Sequence, residues 1–390
     1  MTPRTITFVA PRYGADVFGG AEQAARSYAT RLAADGWSVR VLTTCARSID
    51  WDDEVEPGTT VEEGVEVTRH RVRRPRDPDL DRSSARLFAQ PEIGLAEAED
   101  WIDRQGPDSP DLLDAIAAVD EGVVAVTPYL YQPTVRGAAA ARVPVVLHGA
   151  AHREAPLRLP VFDRLYGSVD ALAHFSQAEQ RLALDRFPAT ATTPQVVLGM
   201  PIDVDAPVDP AAARAALGLG DEPFVVCLGR VDAGKGVHDL VERFRRFREQ
   251  RGSGRLVLAG PVVDAPPATP GVTVLGPVPT EHKFGLLAAA DVLINPSPHE
   301  SFSIVVPEAL LAGTPVLVNG WCLPLREHVV NSHGGLWYTG LADFDVALGR
   351  LLDDTELRDE AVRAGADYVR SMFSWDAVRT RYERLLAGIA

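Results

Sequence analysis

Cysteine is scarce in this chain: Cys45, Cys227 and Cys322 are the only three in 390 residues. An odd number set this far apart builds neither a disulfide framework nor a C-x-x-C metal site, which fits a reducing cytoplasm. Long apolar runs are lacking as well. The run from Ile6 to Ala10 is too brief for a signal-peptide core, and nothing approaches the ~18 apolar residues of a membrane span. A cytoplasmic protein with no membrane span is expected, with peripheral membrane contact left open. Positive charge is in deficit, 39 Lys plus Arg against 54 Asp plus Glu, for a net charge of −15. A field of that sign repels phosphate backbones, so nucleic acid is not expected as a partner and any anionic ligand must be captured by a local cationic pocket. Internal repeats and low-complexity tails are absent too. What is present is ordinary globular composition, 46% hydrophobic and 24% charged, at a length that predicts two or three domains.

Short β-branched runs alternate with longer segments of helical periodicity, the pattern of βαβ units around a parallel sheet. A first series opens at Ile6 and continues with strands at Ser38 to Leu42, Val123 to Val126, Val143 to Leu147, Ala171 to Phe175 and Val196 to Leu198. A stretch rich in Pro, Asp and Ala, from Met200 to Pro223, reads as a linker with a short helix. A second series runs through Phe224 to Gly229, Arg255 to Leu258, Val272 to Leu275, Val292 to Asn295 and Val316 to Asn319. Two doubly wound α/β domains in tandem follow, with ligand sites at the carboxyl ends of the strands, in the turns after Ala10, Leu147, Gly229, Asn295 and Asn319. Between Thr44 and Pro110 lies an arginine cluster, Arg69, Arg71, Arg73, Arg74 and Arg76, flanked by Glu62, Glu63, Glu66, Asp77 and Asp79. That balance reads as a solvated strand edge and loop.

Three segments carry candidate chemistry. Gly19 and Gly20 open a helix directly after the first strand, a seat for phosphate, yet the turn does not spell G-x-G-x-x-G and no acidic residue closes the second strand. Residues 229–236, G-R-V-D-A-G-K-G, match the P-loop spacing up to the last position, where Gly236 lacks the hydroxyl that would hold magnesium. What remains is Arg230 and Lys235 on a glycine-rich turn, suited to clamping a diphosphate without a metal. The third segment, residues 298–316, places Glu300 in a loop and Glu308 in the first turn of a helix that Gly313 ends, with the amides of Phe302, Ser303 and Ile304 between them. Paired carboxylates of this kind accept several hydrogen bonds from vicinal hydroxyls.

These motifs together resemble the retaining GT-B glycosyltransferases of family four, the glycogen-synthase-like and mannosyltransferase-like group with its E-x7-E motif. The residues that carry the resemblance are E-S-F-S-I-V-V-P-E-A-L-L-A-G-T-P-V, G-R-V-D-A-G-K-G and F-G-G-A-E, in order and over essentially the whole chain. The segment at 274–278, V-L-G-P-V, is similar to the family's base-contacting loop, and that at 146–149, V-L-H-G, to its N-domain histidine strand. Residues 319–338 resemble one bacterial branch. The resemblance implies a GT-B fold, two doubly wound Rossmann-like domains facing across a cleft. Its acceptor-side domain would span residues 1–205, joined by a returning C-terminal helix at about 374–390, and its nucleotide-sugar domain 206–373.

It implies that Arg230 and Lys235 hold the donor diphosphate, that Glu308 grips the ribose hydroxyls and Glu300 a hydroxyl of the transferred sugar. Gly19, Gly20, Val278, Ser301, Phe302, Ser303 and Ile304 would complete the donor site. His148 would lie near sugar and acceptor, with His152 a second acceptor candidate. Catalysis would fall to Glu300, His148, Arg230 and Lys235, with no cofactor and no metal, a nucleotide-diphosphate sugar as co-substrate and a small molecule or glycan as acceptor. Two departures stand out: the family more often has Gly where Ser303 stands and an aliphatic residue where Pro307 stands. A sugar phosphorylase, a pseudo-glycosyltransferase and an NAD-linked oxidoreductase remain as competing readings, the last weakened by its missing glycine fingerprint.

Overall fold

A strand covered on both faces is buried at every position, as Thr5–Val9 is, its two threonines included. The computed structural model, which describes residues 4–17, 19–203 and 208–389, builds such strands into two α/β units. One comprises Met1–Met200 with Val378–Ala390, the other Pro201–Ala377. The boundary expected between residues 205 and 206 lies outside the described residues.

In the first unit the strands are Thr5–Val9 (β1), Ser38–Thr44 (β2), Gly58–Glu62 (β3), Val65–His70 (β4), Val123–Val126 (β5), Val145–Leu147 (β6), Ala171–His174 (β7) and Gln195–Val197 (β8). They lie in the order β3-β4-β2-β1-β5-β6-β7-β8, parallel except for the β3–β4 hairpin. The second unit has Val225–Leu228 (β9), Leu256–Ala259 (β10), Val272–Gly276 (β11), Val292–Asn295 (β12), Val316–Asn319 (β13) and Gly335–Tyr338 (β14). Their order is β11-β10-β9-β12-β13-β14, and all pairs are parallel. Chain direction across the sheet reverses between β9 and β12, the switch point where α/β sheets open a crevice beyond the strand ends. The loops after those two strands hold residues 229–236 and 296–304.

The structure refines one reading and adds one strand. The region between Thr44 and Pro110 is a hairpin and two helices, Leu80–Phe88 and Leu95–Gln105, and Arg69 is buried, donating to Glu62 and to the Tyr13 carbonyl. The other four arginines are also paired: Arg71 with Asp53 and Glu56, Arg73 and Arg74 with Asp108, Arg76 with Asp81. No uncompensated anion-binding patch is left. The strand β14, G-L-W-Y, has too little β-branching to announce itself.

The last helix, Trp375–Ala387, buries Val378, Tyr382, Leu385 and Leu386, an i, i+4, i+7 face. Its residues from Val378 onward belong to the first unit. There the Tyr382 hydroxyl shares a 2.7 Å hydrogen bond with His148 Nε2, and the Tyr28 ring lies 5.4 Å from His148 and 5.7 Å from Tyr382. Arg381 donates to the Leu198 carbonyl at 2.8 Å. Burial, helped by the neighbouring His174, pushes the His148 imidazole down to about 3, so it is neutral at physiological pH. An unfolded histidine takes a proton near 6.5 and the folded one does not until far lower, so between those values the unfolded chain binds more protons. This stability is complete above pH 6.5 and drains as pH falls, at about 1.4 kcal/mol per pH unit. Urea unfolding at pH 7 and pH 4.5 should therefore show a smaller acid loss for His148→Gln than for the wild type, and equal losses would refute the assignment.

Candidate functional site

The turn after β9 is organised by one acid, Asp232, which is buried. Its carboxylate accepts the Lys235 amide at 2.7 Å and the Arg230 guanidinium. Burial drives this carboxyl upward, but the Lys235 amide and the Arg230 charge together hold it below the usual range. Gly236 follows with φ +75°, and a Cβ there would come within 2.6 Å of the Pro296 carbonyl oxygen. Only glycine fits, which is the physical reason that no hydroxyl stands at the last position of the P-loop spacing. The helix Val237–Arg251 starts at this residue.

The turn after β12 is held from three sides. Asn295 donates to the Ser303 hydroxyl at 2.8 Å and accepts the Ser297 amide at 3.0 Å, while Asn319 donates to the Pro296 carbonyl at 3.2 Å. His328, which burial pushes down to about 4, donates from Nε2 to the Phe302 carbonyl at 2.8 Å. The Phe302 ring is buried edge-to-face against His328 and Phe373, at 4.9 and 5.1 Å. Phe302 therefore anchors the loop through its side chain. Ser303 sits at φ 70°, a left-handed conformation that glycine adopts without strain, which explains why glycine is the commoner residue there in the resembling family. Ile304 caps the helix Val305–Leu311, and Ser301 and Val278 are half-buried in their loops.

The four charged candidates of this unit lie in three ion pairs. Lys235 donates to Glu300 Oε1 at 2.8 Å. Arg230, more than half exposed, pairs with Asp232. Glu308, in the first turn of its helix, has a side chain only 11% exposed and receives Lys283 Nζ on Oε1 at 2.5 Å. Burial holds the Glu308 carboxyl above its usual range, a rise that the Lys283 charge and hydrogen bond offset only in part. Lys283 and Asp232 were not among the residues expected from the sequence. The signal for Lys283 was available: only two of the 39 basic residues are lysine, 235 and 283, and each is bonded to one glutamate of the motif.

The remaining candidates belong to the first unit. Gly19 is extended, and a Cβ there would meet the Glu22 carboxylate, whereas one on Gly20 would meet nothing within 4 Å. Glu22 is itself buried in an ion pair with Arg12, a further pair at the carboxyl end of β1 that spacing did not reveal. His148 is enclosed by Phe8, Tyr28 and Tyr382, and His152 lies 3.6 Å from Glu154. Among the described residues no group of three or more His, Cys, Asp and Glu side chains is arranged to hold a metal ion, and no helix is long and apolar enough to cross a membrane.

The family comparison falls on the stretch that holds these charged pairs. Residues 222–354 match the family model described as Glycosyl transferases group 1. The D-inositol 3-phosphate glycosyltransferase of Nocardia farcinica is 36% identical over 193 residues, 43% of this chain and 41% of that protein. Glycogen synthase of Mycobacterium tuberculosis is 29% identical over 181 residues, 44% of this chain and 43% of the relative. The chain thus spans less than half the length of the curated relatives it matches. Among solved structures, sucrose-phosphate synthase from Thermosynechococcus elongatus superposes with a TM-score of 0.72 at 19% identity, covering 99% of this chain and 98% of that one. HepE of Anabaena, in complex with UDP and glucose, gives 0.68 at 18% identity, covering 99% and 100%. The chain therefore has a fold of two Rossmann-like α/β domains of the GT-B kind, and within it residues 222–354 match the Glycosyl transferases group 1 model.

Proposed function

We propose that this protein is a retaining glycosyltransferase of family four that moves a sugar from a UDP- or GDP-linked donor to a hydroxyl acceptor without a metal. The observation that carries this reading is the convergence of Arg230, Lys235, Glu300 and Glu308, with their counter-charges, on the carboxyl edge of the second sheet around its switch point. In this reading Arg230 and Lys235 stabilise the charge that grows on the departing diphosphate. Both hydrogen-bond to carboxylates through single contacts in the structure, and a diphosphate offers oxygens of the same geometry with more charge. Glu308 binds the ribose hydroxyls, since a carboxylate oxygen accepts more than one hydrogen bond. Glu300 takes a hydroxyl of the transferred sugar and does not act as a nucleophile. His148 and His152 remain acceptor-side candidates.

The reaction itself can be followed by mass spectrometry over a panel of UDP-, GDP- and dTDP-sugars. The expected result is release of one nucleoside diphosphate, with or without acceptor, at a rate that survives EDTA. Complete loss on chelation with recovery in manganese would overturn metal independence, and no release from any donor would overturn the function.

Donor affinity gives a second check. A charge-assisted hydrogen bond contributes roughly 1.5–3 kcal/mol, or about tenfold or more in affinity. Glu308→Ala and Arg230→Ala should each weaken donor binding by that factor in calorimetry. Unchanged affinity in both variants would remove these residues from the site.

Stereochemistry tests the front-face route. An inverting enzyme needs a base opposite the leaving group, and the turn after β1, residues 11–15, supplies none; Asp16, next along, is paired with Arg47. With Arg230 and Lys235 holding the departing phosphate on the face of attack, that phosphate accepts the acceptor's proton. An α-linked donor should then give an α-linked product, read from anomeric couplings in the proton NMR spectrum. A β-linkage would refute the mechanism.

A further inference from the structure

Lys283 has no place in the reading above, yet it is one of only two lysines in a chain that otherwise uses arginine for every basic position. It projects from the helix Thr280–Ala289 to Glu308, 25 residues away in sequence. The contact is made on one carboxylate oxygen: among the described residues, hydrogen bonds reach only Oε1 of Glu308. Lys235 treats Glu300 in the same way. Several arginines of this chain reach both oxygens of a carboxylate, although others, Arg230 and Arg104 among them, hold only one. Arg73 takes both oxygens of Asp108, Arg186 both of Asp163 and Arg245 both of Glu242. That is the expected contrast between a planar fork and a compact ammonium.

A buried carboxylate that must stay ionised and still receive a ligand needs a counter-charge that leaves part of it unoccupied. An apolar residue at 283 would leave Glu308 charged and unpaired in a largely buried position, which favours protonation. An arginine would supply the charge but bring a second N–H able to take up Oε2, as Arg73 does on Asp108. Lysine meets both requirements. We propose that Lys283 is a positioning residue of the nucleotide site, anchoring Glu308 through Oε1 so that Oε2 is presented to the vicinal hydroxyls of the nucleotide's ribose. This rests on the reading of Glu308 as the ribose-binding group.

The test uses the full chain and calorimetry with UDP, GDP and their 2′,3′-dideoxy counterparts. For the wild type, whichever nucleotide binds should do so about tenfold or more tightly than its dideoxy form. In Lys283→Met that preference should collapse to within about twofold while affinity for the dideoxy form stays within about threefold of wild type. Lys283→Gln, which keeps a donor without a charge, should lose the preference in the same way and serves if the methionine variant does not fold. Lys283→Arg should keep the wild-type melting temperature but still lose the preference, an outcome that a purely structural ion pair would not give. A wild-type preference preserved in the Met or Gln variant, or in Lys283→Arg, overturns the proposal. A wild type that does not distinguish ribose from dideoxyribose overturns instead the ribose-binding reading on which the proposal stands.

Discussion

A carboxylate taken out of water must be given a counter-charge or it takes up a proton, and the second unit is arranged around that constraint. Isolated burial of such a group costs several kcal/mol even after relaxation, on the order of what a whole domain has to spare. Glu308 is enclosed because its helix runs beneath the switch point, between Val306, Ala309 and Leu310, all fully buried. Its charge is kept by Lys283, from a neighbouring helix. Asp232 and Glu300 meet the same constraint with Arg230 and Lys235. Lys235–Glu300 therefore ties the turn after β9 to the turn after β12, Lys283–Glu308 ties the helix Thr280–Ala289 to the helix Val305–Leu311, and Arg230–Asp232 braces the first turn internally. Neutral hydrogen bonds from Asn295, Asn319 and His328 complete the frame.

Much of this was legible in the sequence, for a definite reason. Parallel strands buried on both faces are written as runs of Val, Ile and Leu, and the segments at 123–126, 292–295 and 316–319 coincide with the strands observed. The hairpin Gly58–Glu62 and Val65–His70 escaped because β3 is exposed along most of its length and carries polar residues. The strand Gly335–Tyr338 has no Val or Ile at all. Within the site, Arg230, Lys235, Glu300 and Glu308 stand in local motifs whose spacing is informative. Lys283 and the Arg12–Glu22 pair are products of tertiary packing, joined across 25 and 10 residues with nothing local to mark them. Composition held the missing clue, because a residue type used twice in 390 positions has been placed rather than scattered.

Glycine placement carries a similar lesson. Gly236 is required by its positive φ and by the Pro296 carbonyl, so its presence follows from the chain's own geometry. Gly20 has open space where a Cβ would lie, so nothing described in the fold demands it. Ser303 shows the converse: a side chain tolerated at φ 70° because its hydroxyl accepts from Asn295. That bond offsets part of the cost, on the order of 1 kcal/mol, of holding a non-glycine residue in the left-handed region.

The pairing also bears on how an anionic ligand is captured by a chain of net charge −15. The site is not a positive hole waiting to be filled. Arg230, Lys235 and Lys283 are balanced by Asp232, Glu300 and Glu308, so under the proposed function a diphosphate would bind by exchange, drawing Arg230 and Lys235 from the carboxylates they now hold. The two exchanges differ in difficulty. Arg230 is more than half exposed, and its buried partner Asp232 keeps the Lys235 amide on Oδ1 when the guanidinium leaves Oδ2, so this transfer would be the easier one. Lys235 is more enclosed and its partner Glu300 more so, and releasing it leaves a carboxylate in need of a new donor. A sugar hydroxyl is such a donor. Under the proposed function the first cation would respond to phosphate alone, whereas the second would be fully released only when phosphate and sugar arrive on the same molecule, which would give a neutral site a physical basis for preferring the intact nucleotide sugar over either fragment.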